Sequence, residues 1–220
     1  MENKKLIIAT NIDGFLIHHS AFIEPHRTWF DRAILLTKDT GLKKWKGDKN
    51  YFQGVDEAMK QIMPNASEEE RTEQARKWYQ EDVVFYIKEH PEVVFKNIAE
   101  KLRELKAEGK YTLALVTSNT KQYINEILEA SGLSDIYDIV FSIDLAEKPD
   151  KEKLFESFIE EYGKPVAYIA GKNGDRFEKL LALGMITIYA TWDTFDERLA
   201  KEASRVASSP EEMIQIINSL

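Results

Sequence analysis

The sequence predicts an α/β fold, a parallel sheet flanked by helices, with an all-α segment inserted near its start. Three observations lead there. From Pro91 onward, short apolar runs of strand length alternate with helical segments, the pattern of strands buried on both faces and joined by crossover helices. From about His18 to Glu89 that pattern gives way to helical spacing and polar loops. A length of 220 residues with 43% apolar side chains is enough for one such domain carrying an insertion. The expected division is a sheet domain over 1–17 plus 90–220 and a helical cap over 18–89.

The first strand is the run Leu6-Ile7-Ile8-Ala9, which ends at Thr10-Asn11-Ile12-Asp13-Gly14. Period-2 alternation puts Asn11 and Asp13 on one side at the carboxyl end, and Gly14 lets the chain turn sharply. In the insertion, Ser67 with Glu70 three residues later reads as a capping box opening a helix from Glu68 to Ile87. The basic and aromatic loop Gly41 to Lys49 reads as a solvated face with one packed Trp, or as a collar for a substrate phosphate.

After the insertion we expect a helix from Val93 to Ala107, a strand from Tyr111 to Val116 and a helix from Lys121 to Ala130. A strand from Asp138 to Ser142, a helix from Lys151 to Glu161 and a strand from Val166 to Ala170 follow. The last elements are a helix from Arg176 to Leu183, a strand from Ile186 to Tyr189 and a helix from Pro210 to Asn218. Right-handed crossovers would bring the strand ends to one edge, where sheets of this kind bind ligands.

Composition narrows the function. No cysteine occurs, which excludes disulfides, thiolate catalysis and cysteine-based zinc sites and fits a cytoplasmic protein. The four-residue apolar run near the start is too short for a signal peptide or a membrane span. A net charge of −8 argues against nucleic acid and anionic membranes as partners and for small molecules or proteins. No Gly-x-Ser-x-Gly elbow and no Gly-x-Gly-x-x-Gly loop is present.

Four strand ends carry polar groups. The first bears Asn11 and Asp13; an Asp at 11 would have paired a nucleophile with a general acid/base, whereas Asn has no anionic oxygen. The second is Thr117-Ser118-Asn119, whose hydroxyls either hold a phosphate oxygen or cap the next helix. The third is Glu147-Lys148-Pro149-Asp150, a lysine before a proline-initiated helix. The fourth is Gly171-Lys172-Asn173-Gly174-Asp175-Arg176 after the strand Tyr168-Ile169-Ala170. Adjacent His18 and His19 point opposite ways if extended and read as linker residues, and His26 and His90 beside prolines read as turn residues.

Taken in this order, the four motifs resemble the haloacid dehalogenase (HAD) superfamily, Rossmann-like hydrolases that are chiefly Mg²⁺-dependent phosphatases with a helical cap after the first motif. The family reads Asp-x-Asp-Gly-Thr where this chain reads Asn11-Ile12-Asp13-Gly14-Phe15. Thr117 and Lys148 match the second and third motifs, and Leu183-Gly184-Met185 resembles the family's Ala-Gly-Met. The resemblance implies catalytic positions at Asn11, Asp13, Thr117 and Lys148, and phosphate binding by Thr117, Ser118, Asn119 and Lys148. It implies metal positions at Asn11, Asp13 and Asp175.

Two departures bear on activity. Asn11 stands where the nucleophilic Asp would be, and Lys172 brings an ammonium to the metal region, where it would pair with Asp13. A bound Mg²⁺ is accordingly expected to be weakened or lost. The expected function is that of a phosphatase-lineage hydrolase acting on or binding a small phosphorylated metabolite with impaired catalysis. The alternative is an inactive pseudoenzyme that binds a phospho-ligand or a protein.

Overall fold

A computed structural model describes residues 5–47, 50–143, 151–172 and 177–220. Six strands form one parallel sheet: β1 (Leu6–Thr10), β2 (Tyr111–Thr120), β3 (Ile139–Ile143), β4 (Ala167–Ala170), β5 (Ile186–Ala190) and β6 (Arg205–Ala207). Their order is β3-β2-β1-β4-β5-β6. The helices are α1 (Ser20–Thr37), α2 (Tyr51–Ile62), α3 (Glu68–Glu89), α4 (Lys96–Ala107), α5 (Lys121–Ala130), α6 (Lys151–Tyr162), α7 (Phe177–Ala182), α8 (Glu197–Glu202) and α9 (Pro210–Asn218). Two compact units result, one running to His19 and from Glu92 onward, the other Ser20–Pro91.

In the sheet unit, alternate residues of three adjacent strands, Ile7 and Ala9, Ala114 and Val116, Tyr168 and Ala170, enter one buried cluster with Phe155, Phe158 and Phe177. Period-2 side-chain alternation on strands buried on both faces produces this arrangement. Burying each phenylalanine contributes about 2 to 3 kcal/mol. Helix α6 packs on β2 and β3, α7 on β5, and α4 on α9 and β2. Among the described residues no helix is long and apolar enough to cross a membrane.

Three elements differ from expectation. The helix expected from Val93 starts at Lys96, because Val94 bridges Ile17 and Phe95 donates its N–H to the Leu16 carbonyl at 2.9 Å. Strand β2 runs on to Thr120, with its pairing to β3 shifting register between Val116 and Thr120. The unexpected β6 pairs Arg205, Val206 and Ala207 with Ile188, Tyr189 and Ala190.

The helical unit packs Trp29, Phe30, Ala33, Leu42, Met59 and Ala75 into its own core, and the Trp29 indole N–H donates to the Ala75 carbonyl at 3.2 Å. Ser67 and Glu70 form the full capping box on α3. In the basic loop, a 3-10 turn over Thr40–Trp45 lays Trp45 on Gly54, where a Cβ would fall 2.2 Å from the indole Cγ. Lys44 pairs with Glu57 at 3.5 Å and Lys46 with Asp31 at 2.5 Å, so these two charges are balanced within the unit. His26 lies inside α1 rather than in a turn, its ring against Tyr51 and Tyr79 at 4.2 and 4.3 Å.

Candidate active site

Strand order reverses at β1, whose neighbours β2 and β4 lead away in opposite directions. A crevice forms at the carboxyl ends on either side of such a reversal. Asn11 sits there, 8% exposed, the first residue past β1, with its backbone N–H on the Ile169 carbonyl at 3.1 Å. Its side-chain oxygen accepts from the Gly171 N–H at 3.2 Å, and its amide nitrogen donates to the Asp13 carbonyl at 3.1 Å. One partner is a donor and the other an acceptor, so the two ends of the amide are assigned by chemistry.

The chain then closes one tight turn, with the Leu16 and Ile17 N–H groups both on the Ile12 carbonyl at 3.0 and 3.1 Å. Gly14 has φ +68°, the left-handed region that an L side chain rarely adopts. The loop after β4 lies backbone to backbone on this turn: a Cβ on Gly171 would meet the Gly14 carbonyl oxygen at 2.1 Å, and one on Gly14 would meet the Lys172 nitrogen at 2.5 Å.

The Asp13 carboxylate, on a residue 9% exposed, faces an imidazole. His19 Nδ1 lies 2.9 and 3.1 Å from its two oxygens. Asp193 holds the histidine pair from behind, one oxygen 2.7 Å from His18 Nδ1 and the other accepting the His19 backbone N–H at 2.9 Å. The neighbouring Trp192 donates its indole N–H to the Phe15 carbonyl at 2.9 Å. The Tyr189 hydroxyl, whose pKa burial pushes up, donates to the Thr194 carbonyl and accepts from the Asp196 N–H at 2.9 and 2.8 Å. The loop after β5 is thus pinned at both ends while it braces the turn after β1.

Thr117, buried within β2, accepts on its hydroxyl from the Asn119 backbone N–H at 3.2 Å and side-chain amide at 3.3 Å. Helix α5 is capped by Thr120, which accepts from the Tyr123 N–H. The capping alternative therefore falls to Thr120 and not to Thr117 or Ser118. Ser118 is half-buried and Asn119 exposed at the same strand end.

Of the sequence-predicted site residues, Asn11, Asp13 and Lys172 come together at the β1 and β4 ends, and Thr117, Ser118 and Asn119 lie at the end of adjacent β2. Lys148 and Asp175 lie outside the described residues. The His19 imidazole faces the Asp13 carboxylate, and the Lys172 backbone lies against Gly14 of the same turn. His19 is fixed by its own backbone bond to Asp193. Among the described residues no group of three metal-binding side chains comes together. His19, read from the sequence as a linker residue, is a partner of Asp13, and Asp193, which holds it, is the residue that the sequence did not single out. Their signal was weak, a histidine pair near the first motif and an acid beside a strand-end tryptophan.

A family model for haloacid dehalogenase-like hydrolases matches residues 12–172. The chain is 28% identical over 197 residues to the phosphoglycolate phosphatase of Aquifex aeolicus, covering 84% of each chain. It is 29% identical over 174 residues to the probable phosphatase IndB of Dickeya dadantii, covering 76% of this chain and 74% of that one. The crystal structure of the HAD hydrolase YfnB from Bacillus subtilis, determined with bound magnesium, superposes with a TM-score of 0.62 at 14% identity, covering 98% of this chain and 100% of that one.

Proposed function

The chain belongs to the haloacid dehalogenase-like hydrolase family, and from that premise we propose that its strand-end pocket takes the phosphoryl group of a small phosphorylated metabolite and turns it over poorly or not at all. The observation that carries this reading is the Asn11 amide. Its oxygen is neutral and already accepts from Gly171, and its nitrogen donates to Asp13. A neutral amide oxygen is a poor nucleophile toward phosphorus, and loss of a nucleophile lowers turnover by roughly 10⁴ to 10⁶.

The remaining groups suit binding. The Thr117 hydroxyl, relieved of capping by Thr120, would donate to a phosphoryl oxygen from the β2 end, with Ser118 and Asn119 beside it. Lys148 would supply the cation by its place in the third motif. Asp13, oriented by His19, would stand on the leaving-group side, where a carboxyl exchanges a proton with an alkoxide. In this reading the residues 20–91 form the cap, the source of specificity for the rest of the metabolite.

When bound in such a site, Mg²⁺ neutralises phosphoryl charge. Among the described residues the donors Asn11 and Asp13 fit it badly. Asn11 contributes no charge, and its side-chain oxygen, the Asp13 carbonyl oxygen and both Asp13 carboxylate oxygens already accept from or face a protein nitrogen.

The test is hydrolysis of p-nitrophenyl phosphate and a panel of sugar and nucleotide phosphates with Mg²⁺. It compares this chain, Asn11→Asp, and Asn11→Asp combined with Lys172→Asp. The expected result is silence from this chain and activity only after the replacements. Turnover by this chain that Asp13→Ala abolishes would overturn the reading of impaired catalysis.

A further inference from the structure

We propose that the Asn11 amide has taken over the structural task a divalent cation would perform between residue 11 and the Asp13 backbone, so that this pocket assembles and takes phosphate without metal. The inference rests on the phosphate reading above for its ligand, and on the geometry of residue 11 for the rest.

Two oxygens approaching one another at the end of a strand need a positive group between them. In this chain the positive group is covalently attached: the Asn11 Nδ2–H₂ points at the Asp13 carbonyl oxygen from 3.1 Å. The other end of the same amide takes the Gly171 N–H at 3.2 Å. Asn11 therefore links the turn after β1 to the loop after β4 with one neutral group hydrogen-bonded at both ends, buried to 8% exposure. A cation bridging side chain 11 and the Asp13 carbonyl would have to lie where those amide hydrogens lie.

The contacts around it agree. The Asp13 carboxylate faces His19 Nδ1 at 2.9 Å, close enough for a hydrogen bond. The Lys172 backbone is packed on Gly14, which brings the residue's ammonium stem to the same loop. The positive charge or hydrogen that each oxygen needs comes from the chain itself.

An Asp at 11 would keep the bond from Gly171 but set a bare carboxylate oxygen against the Asp13 carbonyl. Such a pair is repulsive unless a cation or a proton enters. The substitution should thus convert a metal-indifferent fold into a metal-dependent one, a property read by stability alone.

Thermal unfolding of this chain, Asn11→Asp and Asn11→Ala, each in EDTA and in saturating MgCl₂, tests it. We expect this chain to melt at the same temperature in both buffers. Asn11→Asp should melt lower in EDTA, by on the order of 5 °C, and recover in MgCl₂. Asn11→Ala, which lacks the bridge but adds no charge, should melt lower in both. A rise of several degrees for this chain in MgCl₂, or an Asn11→Asp variant as stable in EDTA as this chain, would overturn the proposal. Should Asn11→Asp fail to fold, calorimetric titration of this chain with MgCl₂ decides: no binding heat supports the proposal and a saturating isotherm overturns it. Inorganic phosphate separates the two readings. A phosphate-induced rise for this chain in EDTA supports both. A rise only when Mg²⁺ is present overturns metal-free binding and leaves the phosphate reading standing. No rise in either buffer overturns the phosphate reading, and with it metal-free phosphate binding, while the MgCl₂ arms still decide the role of Asn11.

Discussion

A methyl group on Gly171 would sit 2.1 Å from the carbonyl oxygen of Gly14, backbone against backbone, with no flexible side chain to give way. Gly171→Ala is therefore expected to push the β4 loop off the β1 turn and break the Asn11 bond to the residue 171 N–H. Overpacking of this kind costs about 1 to 3 kcal/mol, and the lost buried bond adds about 1 kcal/mol. Urea unfolding should show a lower midpoint. An unchanged midpoint would mean the two loops are not in this contact.

Thr117 and Thr120 lie three residues apart on one strand end, and in the proposed reading they divide two tasks that sequence alone merges. Thr120→Ala removes the cap of α5 and should cost about 1 kcal/mol of stability with little effect on phosphate binding. Thr117→Val should do the reverse, weakening phosphate binding several-fold by removing one neutral hydrogen bond while melting near the parent. Isothermal titration with phosphate and thermal unfolding of both variants read the two effects separately.

The Tyr137 hydroxyl is buried and lies 2.6 Å from the Thr10 hydroxyl. Burial pushes its pKa well above the ordinary 10.0, so the native state holds the proton more tightly than the unfolded chain. Stability from this source is complete below pH 10 and falls by about 1.4 kcal/mol per pH unit above it. Tyr137→Phe should be less stable at neutral pH by about 1 to 3 kcal/mol, because the Thr10 hydroxyl loses its partner. It should also lose less stability than the parent as the pH climbs past 10. Parallel pH curves for the two proteins would refute this assignment.

In the helical unit, Ser67→Ala removes one half of the capping box on α3. A loss of about 0.5 to 2 kcal/mol is expected. Glu70 also accepts the Ser67 N–H at 2.7 Å, and this bond holds its pKa below the usual glutamate value. Lowering the pH through that range should therefore weaken the same helix start in the parent. Proteolysis within 20–91 is the readout, and unchanged cleavage rates in Ser67→Ala would count against the box as a local clamp.

What the sequence showed and hid follows from the range of each interaction. The strands β1, β2, β4 and β5 were legible because each is an apolar run bounded by polar residues, and the capping box because its two members are three residues apart. The strand β6 was hidden, since three residues beginning with Arg205 carry no period and are ordered only by pairing with β5. The site divides in the same way. Asn11 and Asp13 were evident as a two-residue alternation. The His19 partnership was not, because the extended reading of the histidine pair says nothing of a turn that folds residue 19 back to residue 13. Asp193 stands 174 positions from the His19 N–H that it accepts, and no local pattern announces such a contact.

The β-bridge between Ile17 and Val94, with the bonds from His18 to Val93 and from Phe95 to Leu16, means that the sheet unit fastens the two ends of the inserted segment side by side with its own backbone. An insertion held at a closed neck is exchangeable: a shorter or unrelated segment whose ends lie a strand's width apart could replace it without unpairing the sheet.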